Sequence, residues 1–261
     1  MAFNPTEYKV LTFDIYGTLI NWEKGIYTAL QPLLSKLPDS DPLHPSNNTS
    51  TPKNKATILS AYTKLEAQIQ TENPTLPYPQ VLEKIYVRLA EELSLPPPSE
   101  PEIKAFGSSI GKWAAFPDTI AAMQILKKHY KLIVLSNVDK TSFSQTLSGP
   151  LSGVEFDAIY TAEDIGSYKP DQRNFKYMVE GAEREFGAKK EEVLVVAQSL
   201  WHDHVPARKV GLRPSVWIRR GGEEVAMGGR LEDLREEVRL AADFGTLGEF
   251  AGVVERGFEG L

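Results

Sequence analysis

Asp14 closes an apolar, β-rich run, YKVLTF, and is followed by Ile15, Tyr16, Gly17 and Thr18. Further polar stations recur in the same kind of place. Ser136 and Asn137 follow KLIVL, Lys169 lies in a loop after FDAIYT, and Asp203 comes shortly after VLVVA. If each run is a strand of one parallel sheet, these stations converge on its carboxyl rim, where open α/β sheets bind ligands. An aspartate in that setting can be a nucleophile. A nearby lysine favours its ionised form, and hydroxyl and amide donors can bind charge developing on a substrate. A lone aspartate after a strand is commonly a turn cap, so it is the ordered set that points to chemistry.

Tyr16 narrows the leaving group. Expelling an alcohol from a phosphate ester needs a proton donor, worth roughly 10²- to 10⁴-fold in rate when its pKa is near the working pH. A tyrosine, with an ordinary pKa of about 10, is a poor substitute for a carboxylic acid. Halide leaves as a stable anion without a proton, so Tyr16 suits cleavage of a carbon–halogen bond. His202 and His204 flank Asp203. Their spacing puts them on opposite sides of a strand or well apart on a helix, which argues against a shared zinc. One of them, or Trp201, is expected to line the pocket.

The runs at 8–13, 131–135, 156–161, 193–197 and 215–218 read as buried parallel strands. Helical patterns at 119–130, 172–186 and 206–210 alternate with them, which predicts an α/β doubly wound parallel sheet. From Leu19 to about Trp113 the strand pattern is absent, and 57–70 and 79–93 have helical periodicity, so a helical insertion is expected. The expected division is a core at 1–20 and 114–261 and a helical cap at 21–113. Within the cap, about 38–55 is rich in Pro, Ser, Asn and Asp and predicts a flexible polar loop. The segment 95–101 reads as a stiff proline connector, 221–229 as a loop, and 231–242 as an amphipathic surface helix.

With 261 residues, 41% hydrophobic and 25% charged, the chain is long and apolar enough to bury a core. Its net charge of −6 offers no basic excess for nucleic acid or anionic membrane, leaving a small molecule as the expected partner. The absence of cysteine removes disulfides, thiolate metal sites and cysteine nucleophiles. No leader-like start and no membrane-length apolar run is present, so a cytoplasmic protein is expected, as monomer or homodimer.

FDIYGTL, LSN, SYKPD and the aspartate of SLWHDHVPA match, in order, the four motifs of the haloacid dehalogenase superfamily, and the chain resembles that family over most of its length. DIYGT resembles the 2-haloacid dehalogenase (type II) branch, since phosphatases usually carry a second aspartate where Tyr16 stands. The resemblance implies a catalytic set of Asp14, Lys169 and Asp203. Asp14 would displace halide in-line to form an ester, Asp203 would orient or activate the water that hydrolyses it, and Lys169 would hold Asp14 ionised. Thr18, Ser136 and Asn137 would fix the nucleophile and the substrate carboxylate, Tyr16 would shape the halide pocket, and Ser199 and Trp201 would complete the substrate site. No cofactor is implied. Mg²⁺ enters only under the alternative of a phosphatase on the same fold, and the first acidic position of the phosphatases' fourth motif corresponds here to Gln198. A non-catalytic binding protein of the same fold is the third reading. The pattern departs from the dehalogenase branch at Ala61, where an arginine is expected with Lys64 the nearest cation, at Leu200 for an asparagine and at Phe175 for a tyrosine.

Overall fold

The computed structural model describes residues 3–47, 52–221 and 228–260. Six strands, β1 (Val10–Phe13), β2 (Lys131–Ser136), β3 (Ala158–Thr161), β4 (Val193–Ala197), β5 (Ser215–Ile218) and β6 (Leu240–Phe244), form one sheet in the order β3-β2-β1-β4-β5-β6. Every pairing is parallel. All residues of β1 and β4 are buried, as expected of strands covered on both faces, and this is why their sequences run apolar without alternation. The strand order reverses at β1, which lies between β2 and β4, and such a switch point leaves a crevice at the carboxyl ends of the strands.

The expected helix over 231–242 does not form as one element. A short helix, Leu231–Leu234, is followed by β6. Leu234 and Val238, spaced as on a helix, do pack together against Leu200 and Val205. The chain then turns to pair in parallel with β5, with Ser215 opposite Leu240 and Ile218 opposite Phe244. That tertiary pairing overrides the local periodicity. A closing helix, Leu247–Glu259, starts at a Thr246–Glu249 capping box and buries Leu247, Phe250, Ala251 and Val254.

The chain divides into two compact units, one of 1–21, 115–137 and 151–261, which carries the sheet, and one of 22–114 with 138–150, which is helical. Residues 138–150, read from sequence as part of the core, group with the helical unit. Their helix, Lys140–Ser148, sits against a glycine with no room to spare, since a Cβ on Gly111 would lie 2.4 Å from Gln145 Oε1. Of the polar stretch 38–55, residues 48–51 lie outside the described residues. Asn47 Nδ2 donates to the carbonyls of Asp39 and Asp41 at 2.5 and 2.7 Å. The next helix, Pro52–Glu72, already begins inside that stretch. No helix among the described residues is long and apolar enough to cross a membrane.

The Pro52–Glu72 helix buries Ile58, Leu59, Tyr62, Leu65 and Ile69 along one stripe. Glu66 is buried in the same stripe and accepts hydrogen bonds from the hydroxyls of Tyr78 and Tyr62. Burial pushes its carboxyl up to about 7, against the lowering effect of the two hydroxyls. The ionised form is therefore disfavoured by folding, so this group costs stability as pH rises from the ordinary carboxylate range through about 7. Glu66→Gln is expected to remove that dependence and to stabilise the protein above pH 7 by about 1–3 kcal/mol, read from thermal unfolding of both proteins at pH 5 and pH 8.

Candidate active site

Phe13 pairs with Val134 of β2 and Val196 of β4, so Asp14, the next residue, emerges at the switch point between the ends of those strands. The chain then turns sharply. Gly17 has φ of 108°, in the region that favours glycine, and its N–H donates to Ile20 O at 2.8 Å. The turn brings Thr18 back over the strand end. Its hydroxyl donates to Asp14 Oδ2 at 3.0 Å and accepts from Gln198 N at 2.9 Å, tying the Asp14 loop to the end of β4.

Lys169 is the hub. Its Nζ donates to Asp14 Oδ1 at 2.9 Å, Asp203 Oδ1 at 2.7 Å and Leu135 O at 2.8 Å, which uses all three ammonium protons. Asn137 clamps the lysine's own backbone, accepting from Lys169 N at 2.6 Å and donating to Lys169 O at 3.0 Å. Asp203 comes from a π-helical turn, Leu200–His204, capped by Ser199 Oγ, which accepts from His202 N at 3.0 Å and lies 2.9 Å from the ring Nδ1 of the same histidine. Turns of this kind often occur at functional sites. Ser136 Oγ and Asp203 Oδ2 are buried without a hydrogen-bond partner among the described residues, so both can serve a substrate or a water.

The charges follow from this packing. Burial alone would push the Lys169 ammonium down, but Asp14 and then Asp203 hold it above its ordinary value, and it stays charged. Burial pushes the Asp203 carboxyl up to about 7, the Asp14 charge adds to that, and Lys169 opposes it. Two carboxylates and one ammonium out of water carry one uncompensated negative charge, which a single shared proton relieves. His202 is lowered to about 4 by burial and by the Lys169 charge, and His204 to about 4 chiefly by burial. His204 bridges Ser215 Oγ at 2.6 Å and Ala197 O at 3.0 Å, which ties β4 to β5 and gives it a structural role.

Of the residues singled out from sequence, Asp14, Thr18, Lys169 and Asp203 form one hydrogen-bonded cluster, and Ser136 follows the Leu135 carbonyl that belongs to it. Asn137 spends its amide on Lys169 rather than offering it to a substrate, and Ser199 caps the turn that carries Asp203. Tyr16 is partly buried in the loop after Asp14, bridged to Ile20. Trp201 lies outside the cluster, 43% exposed, and lines a shallow cavity of about 370 Å³ with Pro170, Val205, Pro206 and Lys209. Leu200 and Phe175, which replace polar residues of the dehalogenase pattern, are fully buried in apolar clusters and face no solvent. Sequence reading missed the Leu135 carbonyl, a backbone acceptor that no residue type announces.

Lys169 already occupies one oxygen of each carboxylate and Gln198 is neutral, which makes the set a weak one for Mg²⁺, and no three His, Cys, Asp or Glu side chains gather among the described residues.

The fold and site are those of an α/β enzyme built on an acid–lysine–acid cluster at the switch point of a parallel sheet. The family model of the haloacid dehalogenase-like hydrolases matches residues 8–211, and the chain belongs to that family. Among curated relatives, (S)-2-haloacid dehalogenase H-109 of Pseudomonas putida is 29% identical over 124 residues, 47% of this chain and 53% of that protein. The match thus spans about half the length of that relative. Among solved structures, an L-2-haloacid dehalogenase aligns with TM-score 0.71 and 22% identity over 95% of this chain and 99% of the other. The L-2-haloacid dehalogenase of Xanthobacter autotrophicus, with chloropropionic acid covalently bound, aligns with TM-score 0.67 and 15% identity over 95% of this chain and 98% of that one. At these identities the structural likeness speaks for the fold.

Proposed function

We propose that this protein hydrolyses the carbon–halogen bond of a small 2-haloacid through a covalent Asp14 ester. The observation that carries the reading is Lys169 Nζ, held 2.9 Å from Asp14 and 2.7 Å from Asp203, in a site whose residue two places after the nucleophile is Tyr16 rather than an acid. An Asp14 oxygen attacks C2 of the substrate, the carbon–halogen bond breaks, and halide departs with the bonding pair. Asp203 then takes a proton from water as the water oxygen adds to the Asp14 ester carbonyl; the bond from that carbonyl carbon to the substrate oxygen breaks, the departing oxygen takes the proton back from Asp203 to give the 2-hydroxy acid, and Asp14 releases its own proton to solvent to restore the carboxylate. Lys169 keeps the attacking carboxylate ionised. The buried Ser136 hydroxyl is the donor offered to the substrate carboxylate. The names of the curated relatives support the substrate class, and the donor set around Lys169 supports a reaction without cofactor. The helical unit of 22–114 and 138–150 acts as the cap, and the enzyme works in the cytoplasm on a small molecule.

Halide release from 2-chloropropionate or 2-bromopropionate that persists in EDTA is the expected result, and no release across a broad haloacid panel overturns the reading. The hydrolytic step needs Asp203 ionised, and the group is protonated below its value of about 7. The Asp14 charge that helps hold Asp203 up is absent in the ester, so the acid limb of kcat is expected to lie below pH 7, approaching tenfold per pH unit there, in a profile from pH 4 to pH 9.

A further inference from the structure

Arg220 follows β5 with φ of 60°, a left-handed conformation that a side chain disfavours, and its side chain is only 4% exposed. The guanidinium is engaged through all three of its nitrogens. Nε donates to Thr18 O at 2.7 Å, Nη1 to Asp118 Oδ1 at 2.5 Å and Nη2 to Thr119 Oγ1 at 3.4 Å, and the plane lies 4.2 Å from the centre of the Phe116 ring. Asp118 is itself fixed by Gly248 N at 2.9 Å. Burial alone would raise the Asp118 carboxyl, but Arg220 and Gly248 hold it below its ordinary value. Thr119 Oγ1 donates to Leu19 O at 2.9 Å and Phe116 N to the same carbonyl at 3.0 Å. The nucleophile loop is therefore gripped from two directions. On the inner side the Thr18 hydroxyl meets Asp14 and Gln198, and on the outer side the carbonyls of Thr18 and Leu19 meet Arg220 and its neighbours.

We propose that Arg220 is a positioning residue for Asp14: by fixing the Thr18 carbonyl it keeps the Thr18 hydroxyl aimed at Asp14 Oδ2. The inference rests on the reading of Asp14 as the nucleophile. Only an arginine reaches the three acceptors at once, because its donors are arranged in a planar fork, whereas a lysine offers one compact charge. A strained backbone kept at this position is consistent with a side chain that must arrive from that direction. The guanidinium touches no reacting atom, so its effect should appear in the rate of the chemical step rather than in substrate affinity.

The test compares Arg220→Met, Arg220→Lys and, as a control, Arg219→Gln, whose arginine pairs at the surface with Asp243 at 3.0 Å. With 2-bromopropionate, Arg220→Met is expected to lose about 10²-fold in kcat per folded molecule with KM nearly unchanged, a loss typical of a small misplacement of the reacting group. Arg220→Lys should recover part of that loss, and Arg219→Gln should match wild type. Amide exchange followed by NMR gives a second readout that needs no turnover. The Gln198 N–H, which donates to Thr18 Oγ1, should exchange at least about tenfold faster in Arg220→Met while the β1 amides keep their protection. Unchanged kcat with unchanged Gln198 protection overturns the proposal, as does a loss of activity that only tracks the folded fraction. If wild type releases no halide, the functional reading fails on its own, and the Gln198 exchange still decides the role of Arg220.

Discussion

Asp14→Ala is expected to lower kcat on the order of 10⁴-fold or more, the scale seen when a covalent nucleophile is removed. No neighbouring group can replace it. The other carboxylate of the cluster, Asp203, has one oxygen bound to Lys169, and the Thr18 hydroxyl that aims at Asp14 has no base of its own beyond it. The variant should still fold, because Lys169 keeps Asp203 as its counter-ion and the surplus negative charge is gone. Asp203 should also titrate lower in it, since the Asp14 charge is one of the causes that hold it up. A single turnover of wild type in ¹⁸O-labelled water, followed by mass spectrometry of the Asp14 peptide, reads the chemistry directly. Label in Asp14 is the expected result, and label only in the hydroxy-acid product rules out the ester.

Lys169→Met attacks the same cluster from its centre. It leaves two buried carboxylates facing each other without a counter-ion, and breaking a buried pair in this way costs about 3–5 kcal/mol. The penalty belongs to the ionised forms. It should be largest near pH 8 and shrink toward pH 5, where a proton taken up by the carboxylates neutralises the excess, so urea midpoints at the two pH values should converge with acid. Adding Asp203→Asn should restore most of the stability and none of the turnover. A Lys169→Met enzyme as stable at pH 8 as wild type would mean that the three-way contact at Nζ is not an ion pair of consequence.

The stations that sequence made legible share a cause. Asp14, Ser136, Lys169 and Asp203 each follow an apolar run that reads as a strand of one parallel sheet, so their position on the rim follows from hydrophobicity and strand direction. Their division of labour was less legible. Asn137 and Ser199 are polar residues at strand ends, and nothing in their type says that one would hold the Lys169 backbone and the other would cap a π-helical turn. Trp201 reads as a pocket aromatic, yet the turn that buries Asp203 directs the indole outward. Strand β6 was hidden because Leu234 and Val238 carry a genuine helical spacing just before it. Arg220 was invisible for a different reason. Its partners Thr18 and Asp118 are distant in sequence, and a positive φ at a non-glycine residue has no signature in composition.

The grouping of 138–150 with the helical unit bears on how this scaffold could be re-engineered. A designer wishing to exchange the helical unit for that of another family member would take 22–114 as a single transplantable cassette. That cut would leave the Lys140–Ser148 helix behind, with Gln145 shaped to a glycine surface at Gly111 that the new insert lacks. The seams also fall at sensitive places, one directly after the Asp14 loop and one directly after Asn137, the residue that grips Lys169. A workable exchange therefore moves two segments together and preserves the residues at both seams, so the helical unit is portable only as a matched pair.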